Sequence, residues 1–570
     1  MKLTISKSKN STSLYVAKSF YENGTRTSKI VEKLGTVEDI KKKLNGEDPI
    51  EWAKRYIEEL NRKEKEEKRD VLVKYSPSKV IPKDEQHFYN GGYLFLQRIY
   101  HELQLDKICD MISRKHKFTF DLNSILSRLL YARIIYPSSK LATFQLATNF
   151  IEQPNCELHH IYRALEVIAK ETDYIQSSLY SNSLKISKRN TGVLFYDCTN
   201  YFFEIEQENG LKQYGVCKQH QPSPIVQMGL FIDGDGVPLA FSISKGNTNE
   251  QLTLKPLEEK ILSDFNLSKF IVCTDAGLAS TSNRKFNDKN DRAFITTQSI
   301  KKLKAHLKEW ALAPEGWIFS HGGETHDITG LDEEKDKEKV FYKERWIKED
   351  GLEQKLVVTF SLKYRNYQRK IRSSQVERAL QTITTNPSRL KKNNQNDYKR
   401  FIQKVNYTPD GQVAEKVSYG IDEDLIVAEE AYDGFYAVCT NLEDDAAEII
   451  KINRRRWEIE ECFRIMKSEF KARPVYLSRD DRIEAHFTTC FISLIIYRLL
   501  EKRLGEKFTY HEILKGLKSM NFLRIRGEGY IPTYTRTDLT DALHESFGFH
   551  TDNQIVTTQQ MKKIFKLTKK

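Results

Sequence analysis

Two strand-like runs lead into aspartate. Val193-Leu194-Phe195-Tyr196 runs into Asp197, and Phe270-Ile271-Val272-Cys273-Thr274 runs into Asp275. Far downstream, Asn453-Arg454-Arg455-Arg456-Trp457-Glu458-Ile459-Glu460-Glu461-Cys462-Phe463-Arg464-Ile465-Met466-Lys467 mixes carboxylates with a dense set of cations. Carboxylates brought to one point hold divalent metal ions. Cations beside them hold phosphates. Cutting and rejoining a DNA strand needs both. An aspartate at a strand end is also a common cap for the next turn. The pair gains weight only if both strands run to one sheet edge, where sites in α/β sheets gather.

A continuous helix over about 446–470 is expected to carry the third carboxylate. At about 100° per residue from Asn453, Arg456 falls near 300°, Glu460 near 340° and Lys467 near 320°. Ile452, Ile459, Phe463, Met466 and Phe470 form the adjacent apolar stripe. Glu460 would then stand at the packing boundary, flanked by cations. Glu461 and Glu458 point elsewhere on the wheel. The competing reading is a solvated face, because Arg456 and Glu460 are also i,i+4 partners.

Asp197, Asp275 and Glu460 together would bind two Mg²⁺ ions, for which Mn²⁺ can substitute, since hard cations prefer oxygen ligands. One ion would activate water or a 3′-hydroxyl and the other would stabilise the leaving oxygen. Arg456 and Lys467 would offset phosphate charge or anchor the backbone. Trp457 and Tyr201 could stack on an unpaired base, though core packing is the expected role for both.

Other chemistries fare worse. No P-loop motif is present, and His544-Glu545-Ser546-Phe547-Gly548-Phe549-His550 lacks the spacing of a zinc protease. No G-x-S-x-G elbow occurs. A glycosidase also uses paired carboxylates, but does not need a helix this rich in arginine. His220 reads as a loop residue.

The elements that must position these residues read as an α/β chain. Its 570 residues suffice for several domains. A formal net charge of +12 favours a polyanionic partner, with DNA or RNA first. The eight cysteines form no C-x-x-C pair, and several sit in apolar runs, so buried reduced thiols are expected. The N-terminus turns polar at once, which gives no sign of a signal peptide. The apolar stretch Phe487 to Leu500 is short for a membrane span and contains Arg498. A cytoplasmic location follows as the expectation.

Residues 1–75 read as a small basic module with a hairpin at Asn23-Gly24 and a helix from Pro49. Residues 76–190 read as helical and could bind DNA. Residues 191–300 alternate strands at 193–197, 225–232, 237–244, 270–274 and 293–297 with a helix near 249–264. Residues 301–430 read as an inserted, β-rich subdomain with strands at 339–346 and 355–362. Residues 431–500 return to the core through the strand 435–439. Residues 501–570 read as a helical region with a basic tail.

The whole pattern resembles the DDE transposases of the insertion-sequence-four type. Their signature is Tyr, two residues, Arg, three residues, Glu, six residues, Lys. Arg456, Glu460 and Lys467 match it at that spacing, and Asn453 stands in place of the tyrosine. Tyr196-Asp197-Cys198-Thr199 and Thr274-Asp275-Ala276-Gly277 resemble its two aspartate motifs, although Ala276 replaces a common basic residue. Gly236-Val237-Pro238-Leu239 and Gly246-Asn247-Thr248 resemble the block between them. Tyr432-Asp433-Gly434-Phe435-Tyr436, and Arg473-Pro474-Val475-Tyr476 followed by Arg482-Ile483-Glu484-Ala485-His486, resemble a bacterial subgroup with a large insertion before the glutamate.

The resemblance implies a ribonuclease H-like core, Mg²⁺ dependence and cut-and-paste transposition. It implies binding to terminal inverted repeats and target DNA, as a homodimer. It assigns Asp197, Asp275 and Glu460 to the metal, and Arg456 and Lys467 to DNA near the cleaved end; Asn453, a shorter hydrogen-bond donor in the tyrosine's place, and Trp457, by stacking, complete the candidate DNA contacts. A metal-dependent nuclease without strand transfer and a catalytically silent DNA-binding protein are the alternatives.

Overall fold

A computed structural model describes residues 1–8, 11–22, 25–44, 47–67, 70–73, 76–218, 222–289, 291–319, 323–385, 396–407 and 413–570. The expected turn at Asn23-Gly24, His220 and part of the lysine-rich run after Ser388 lie outside them. The chain divides into two compact units.

The first unit holds Met1–Tyr89, Phe522–Tyr534 and His550–Phe565. Its strands Lys2–Lys7, Thr12–Glu22 and Thr25–Thr36 form an antiparallel sheet, and Glu22 pairs with Thr25 as a hairpin requires. Leu14, Ile40 and Ala53 form its small core under the helices Val37–Lys43 and Pro49–Glu67. The C-terminal stretch is not purely helical as expected. Gly529–Pro532 pairs with Asn521–Ile525 and with Val556–Thr557. These strands are too short to show a clear alternation in sequence.

The second unit carries the site. A ten-stranded mixed sheet is built on β1 (Val193–Phe202), β2 (Ile225–Asp233), β3 (Pro238–Lys245), β4 (Phe270–Thr274) and β5 (Arg292–Gln298). β1, β2 and β3 form an antiparallel meander, and β4 and β5 add in parallel on the other side of β1. The order β3-β2-β1-β4-β5 is consistent with the ribonuclease H-like core that the resemblance implies.

Beyond β5 the sheet continues through β6 (Trp317–Ile318), β7 (Thr325–His326), β8 (Phe341–Glu349), β9 (Leu352–Phe360) and β10 (Phe435–Thr440), in the order β5-β10-β9-β8-β6-β7. The strands of block 301–430 therefore widen the core sheet instead of forming a sheet apart. β9 pairs with β10, and β10 pairs with β5. Only the hairpin Ile402–Tyr407 with Val413–Ile421 pairs separately.

Alternation along β1 decides what faces the site. Leu194, Tyr196 and Cys198 turn to the core under the helix α4, Leu254–Asp264, where Leu257 and Ile261 meet them. Phe195, Asp197, Thr199 and Tyr201 turn to the opposite face. There lie α6 (Ala446–Arg454), α7 (Trp457–Arg464) and α8 (Asp480–Arg503). Upstream, α1 (Leu122–Ile135), α2 (Lys140–Leu146) and α3 (Leu158–Lys170) belong to the same unit. α8 is long and apolar enough to cross a membrane, yet almost all of it is buried as the core helix of this unit.

Two expectations about local structure are corrected. Asp197 does not end its strand, because β1 runs on to Phe202. The helix of 446–470 is not continuous. Around Arg455 and Arg456 the backbone bonds tighten to i→i−3, with Arg456 N donating to Asn453 O at 3.2 Å and Ile459 N to Arg456 O at 3.2 Å. At Ile465–Glu469 they loosen to a π turn, with Phe470 N donating to Ile465 O at 2.9 Å. No proline or glycine marks either change.

Candidate active site

Strand register brings the two aspartates together. Phe195 on β1 pairs with Cys273 on β4. Two residues further on, Asp197 lies within β1 and Asp275 directly after the last residue of β4, close enough for the charge of Asp275 to act on Asp197. The same row continues outward. Thr274 pairs with Thr296, which sets Thr297 beside Asp275, and Thr297 pairs with Val438 and Val438 with Val357.

The broken helix reaches this row at two points. Arg456 Nη1 donates to Thr297 Oγ1 at 3.0 Å. Lys467 Nζ donates to Thr199 Oγ1, on the face of β1 that carries Asp197. Glu460 lies between these two anchors on α7. It is exposed and makes no hydrogen bond or ion pair among the described residues. The single-helix wheel does not hold, since Arg456 sits in the tightened turn and Lys467 in the π turn. Arg456 and Lys467 still reach the face of the sheet that carries Asp197, through the contacts just given, with Glu460 on the turn of helix between them.

Burial raises the Asp197 carboxyl to about 6; Lys218 pulls it down, and the neighbouring Asp275 pushes it up again. Asp197 accepts from Cys198 N at 2.7 Å, and Asp275 accepts from Leu278 N at 3.1 Å. Neither carboxylate has an ion-pair partner within reach among the described residues. Lys218 instead donates to Cys198 O at 2.6 Å and pairs with Glu250 at 3.3 Å. Burial works against its charge, but Asp197 and Glu250 outweigh it and hold Lys218 above its usual value. Burial, with Arg473 and Lys218 nearby, lowers Lys467 to about 8.

Asn453 is buried, and its Nδ2 donates to the Tyr436 hydroxyl at 3.1 Å. That hydroxyl lies 2.6 Å from Thr297 Oγ1. Trp457 is 58% exposed, so core packing is not its role. Tyr201 is fully buried against Phe487, as expected, with Lys467 over its ring at 5.5 Å. Glu458 is buried and structural, held by Arg498 at 3.0 Å and Arg455 at 2.7 Å. Gly236 lies against that pair with φ 77°, and a Cβ there would collide with the Glu458 carboxylate. Sequence reading quoted Thr199 and Tyr436 inside family motifs without giving either a role, and it missed Lys218, Glu250 and Thr297, which carry no local pattern. Strand register is what brings Thr199, Thr297 and Tyr436 in.

The same face continues into a cleft of about 620 Å³ over β9 and β10. Val357, Thr359, Tyr436 and Val438 floor it, and Tyr364 and Asn453 stand at its sides.

An all-oxygen donor set without a bridging cation suits a hard divalent ion better than a soft one. Residues 200–496 match the family described as the transposase DDE domain. The chain belongs to this family. It is a DNA transposase by that membership, an enzyme class that cleaves and transfers DNA strands. Asp275 and Glu460 lie inside the matched segment, and Asp197 lies three residues before it. No curated protein sequence matches the chain. Among solved structures, a piggyBac transposase synaptic complex with hairpin DNA, determined by cryo-electron microscopy, is similar at 8% identity and a TM-score of 0.35, covering 84% of each chain.

Proposed function

We propose that this transposase binds the terminal inverted repeats of an insertion sequence of the insertion-sequence-four type, cuts them free and joins them to target DNA. Asp197, Asp275 and Glu460 hold Mg²⁺ or Mn²⁺ in this reading. Bound there, such ions supply an activated oxygen nucleophile and offset charge on the scissile phosphate. The chain's own residues do the rest. Arg456 and Lys467 neutralise backbone phosphates on either side of Glu460. Asn453 and Tyr436 offer hydrogen-bonding groups beside them. Trp457, exposed at the start of α7, offers a ring to an unpaired base. A homodimer would pair the two ends.

The observation that carries this reading is the register of β1 against β4, which brings Asp197 and Asp275 near each other with no ion pair to either among the described residues. The test is cleavage of supercoiled plasmid carrying the DNA that flanks the gene, with Mg²⁺, Mn²⁺ or chelator. Metal-dependent cuts at the repeats followed by end-joined products support it. Cuts without joining would make the protein a nuclease, and binding without cuts a silent DNA-binding protein.

A further inference from the structure

A second cationic feature lies off the row of carboxylates. Arg133 on α1, Lys140 on α2, Tyr162 on α3, Lys471, Arg473 and His486 on α8 line a cavity of about 230 Å³. Among the described residues no aspartate or glutamate lines it. Arg133 and Lys140 are 4% and 5% exposed. Burying a cation without a counter-charge costs several kcal/mol, and here two are buried side by side.

Their partners do not repay that cost. Arg133 Nη1 donates to Phe470 O at 2.9 Å, but its Nε is buried with no acceptor. Among the described residues Lys140 Nζ finds only Thr489 Oγ1, at 3.5 Å. Lys471 and Arg473 make no ion pair among the described residues. The nearest carboxylate on α3, Glu166, is taken by Arg479 at 2.9 Å and Arg482 at 2.8 Å. His486 stays neutral, held well down by burial, Arg133 and Lys140, and it faces Ala472 O at 3.1 Å. Burial and Arg133 together push Lys140 down to about 7. An oxyanion in the cavity would meet two buried cations and an unused N–H.

We infer that this cavity is a phosphate site, and that its occupant is a backbone phosphate of the bound DNA. The second half rests on the function proposed above, and the first does not. The position suits it. Arg473 lies over the Phe202 ring at the end of β1, at 5.9 Å, and its charge is felt at Lys467. Arg473 thus stands at the cavity and within electrostatic reach of Lys467, which is anchored on the face of β1 that carries Asp197.

The test uses the full chain without divalent ions, so that cleavage plays no part. Lys140→Met keeps the buried stem and removes the charge. Arg473→Gln does the same at the rim, where folding is not at stake. Binding of a labelled duplex is titrated against salt, and unfolding temperature is followed with and without inorganic phosphate. We expect each variant to bind DNA about tenfold more weakly, with a salt slope shallower by about one unit. We also expect phosphate to stabilise the wild type more than Lys140→Met. If phosphate stabilisation is lost but DNA affinity and slope are unchanged, the site stands and the DNA assignment falls. If neither readout moves in either variant, the phosphate site itself is overturned. Failure of metal-dependent cutting would leave all these outcomes readable, because none of them depends on it.

Discussion

Asp197 and Asp275 lie near each other because Phe195 and Cys273, two residues before them, are paired across parallel strands. Asp197 sits within β1 and Asp275 directly follows the last residue of β4, so the pairing of the two strands sets their nearness. Replacing either carboxylate should leave the strands intact. Asp197→Asn, Asp275→Asn and Glu460→Gln are each expected to lower plasmid cleavage by at least about a thousandfold, while duplex binding stays within a few fold. Retained cleavage in any one variant would remove that residue from the metal site.

The raised Asp197 carboxyl has a signed consequence. Its folded value, about 6, lies above the ordinary aspartate value of 3.8. Between those values the folded chain keeps a proton that the unfolded chain has lost. The contribution of this group to stability is therefore greatest in acid and is lost as pH rises through 6. A divalent ion needs the ionised form, so it should reverse the loss. Thermal unfolding should show a rise on adding Mn²⁺ that is larger at pH 7.5 than at pH 5, worth about 2.7 kcal/mol at a hundred times the dissociation constant. Asp197→Asn should abolish the difference. An equal rise at both pH values would argue against Asp197 as a ligand.

Sequence showed the acidic and cationic residues but not the joints that place them. β1 and β4 are legible because their apolar runs are continuous, as buried strands require. Asp197 was misplaced to a strand end because Cys198 to Phe202 mixes small, polar and aromatic residues. The breaks at Arg455–Arg456 and Ile465–Glu469 carry no glycine or proline. They arise from tertiary demands: Arg456 must reach Thr297, Lys467 must reach Thr199, and Glu458 must bury against Arg498. Nor could the charge-rich segments 339–346 and 355–362 announce that they extend the core sheet, since long-range pairing leaves no local mark.

Lys467 should titrate within the working range. Its lowered value, about 8, means that the unbound protein loses this charge as pH climbs through 8. DNA affinity at fixed salt should fall between pH 7 and pH 9. Lys467→Arg should flatten that profile, because a guanidinium stays charged. Fluorescence anisotropy would follow it. An unchanged fall in Lys467→Arg would assign the titration to another group.

Arg189 and Asp233 form a separate, structural pair at 2.6 Å, with side chains 1% and 0% exposed. Arg189 also donates to Val237 O and Pro238 O, each at 2.9 Å, and so ties the turn between β2 and β3. Asp233→Ala strands a buried guanidinium and should cost about 3–5 kcal/mol in urea unfolding. A loss below about 1 kcal/mol would mean that water or the backbone replaces the carboxylate.

Tyr436 offers an answer to the missing tyrosine of the signature. Asn453 occupies that signature position with a short carboxamide in place of a phenol hydroxyl. Its Nδ2 instead donates to the Tyr436 hydroxyl, which lies 2.6 Å from the Thr297 hydroxyl that Arg456 also holds. A phenol from β10 thus enters the group that the helix residue would otherwise complete. Tyr436→Phe removes one oxygen and keeps the ring on the sheet, so the loss of stability should stay near about 1 kcal/mol. If the hydroxyl helps to hold DNA, cleavage should fall about tenfold or more, and Asn453→Ala should fall less because the hydroxyl remains on Thr297. Full cleavage by Tyr436→Phe, with the fold intact, would confine Tyr436 to packing.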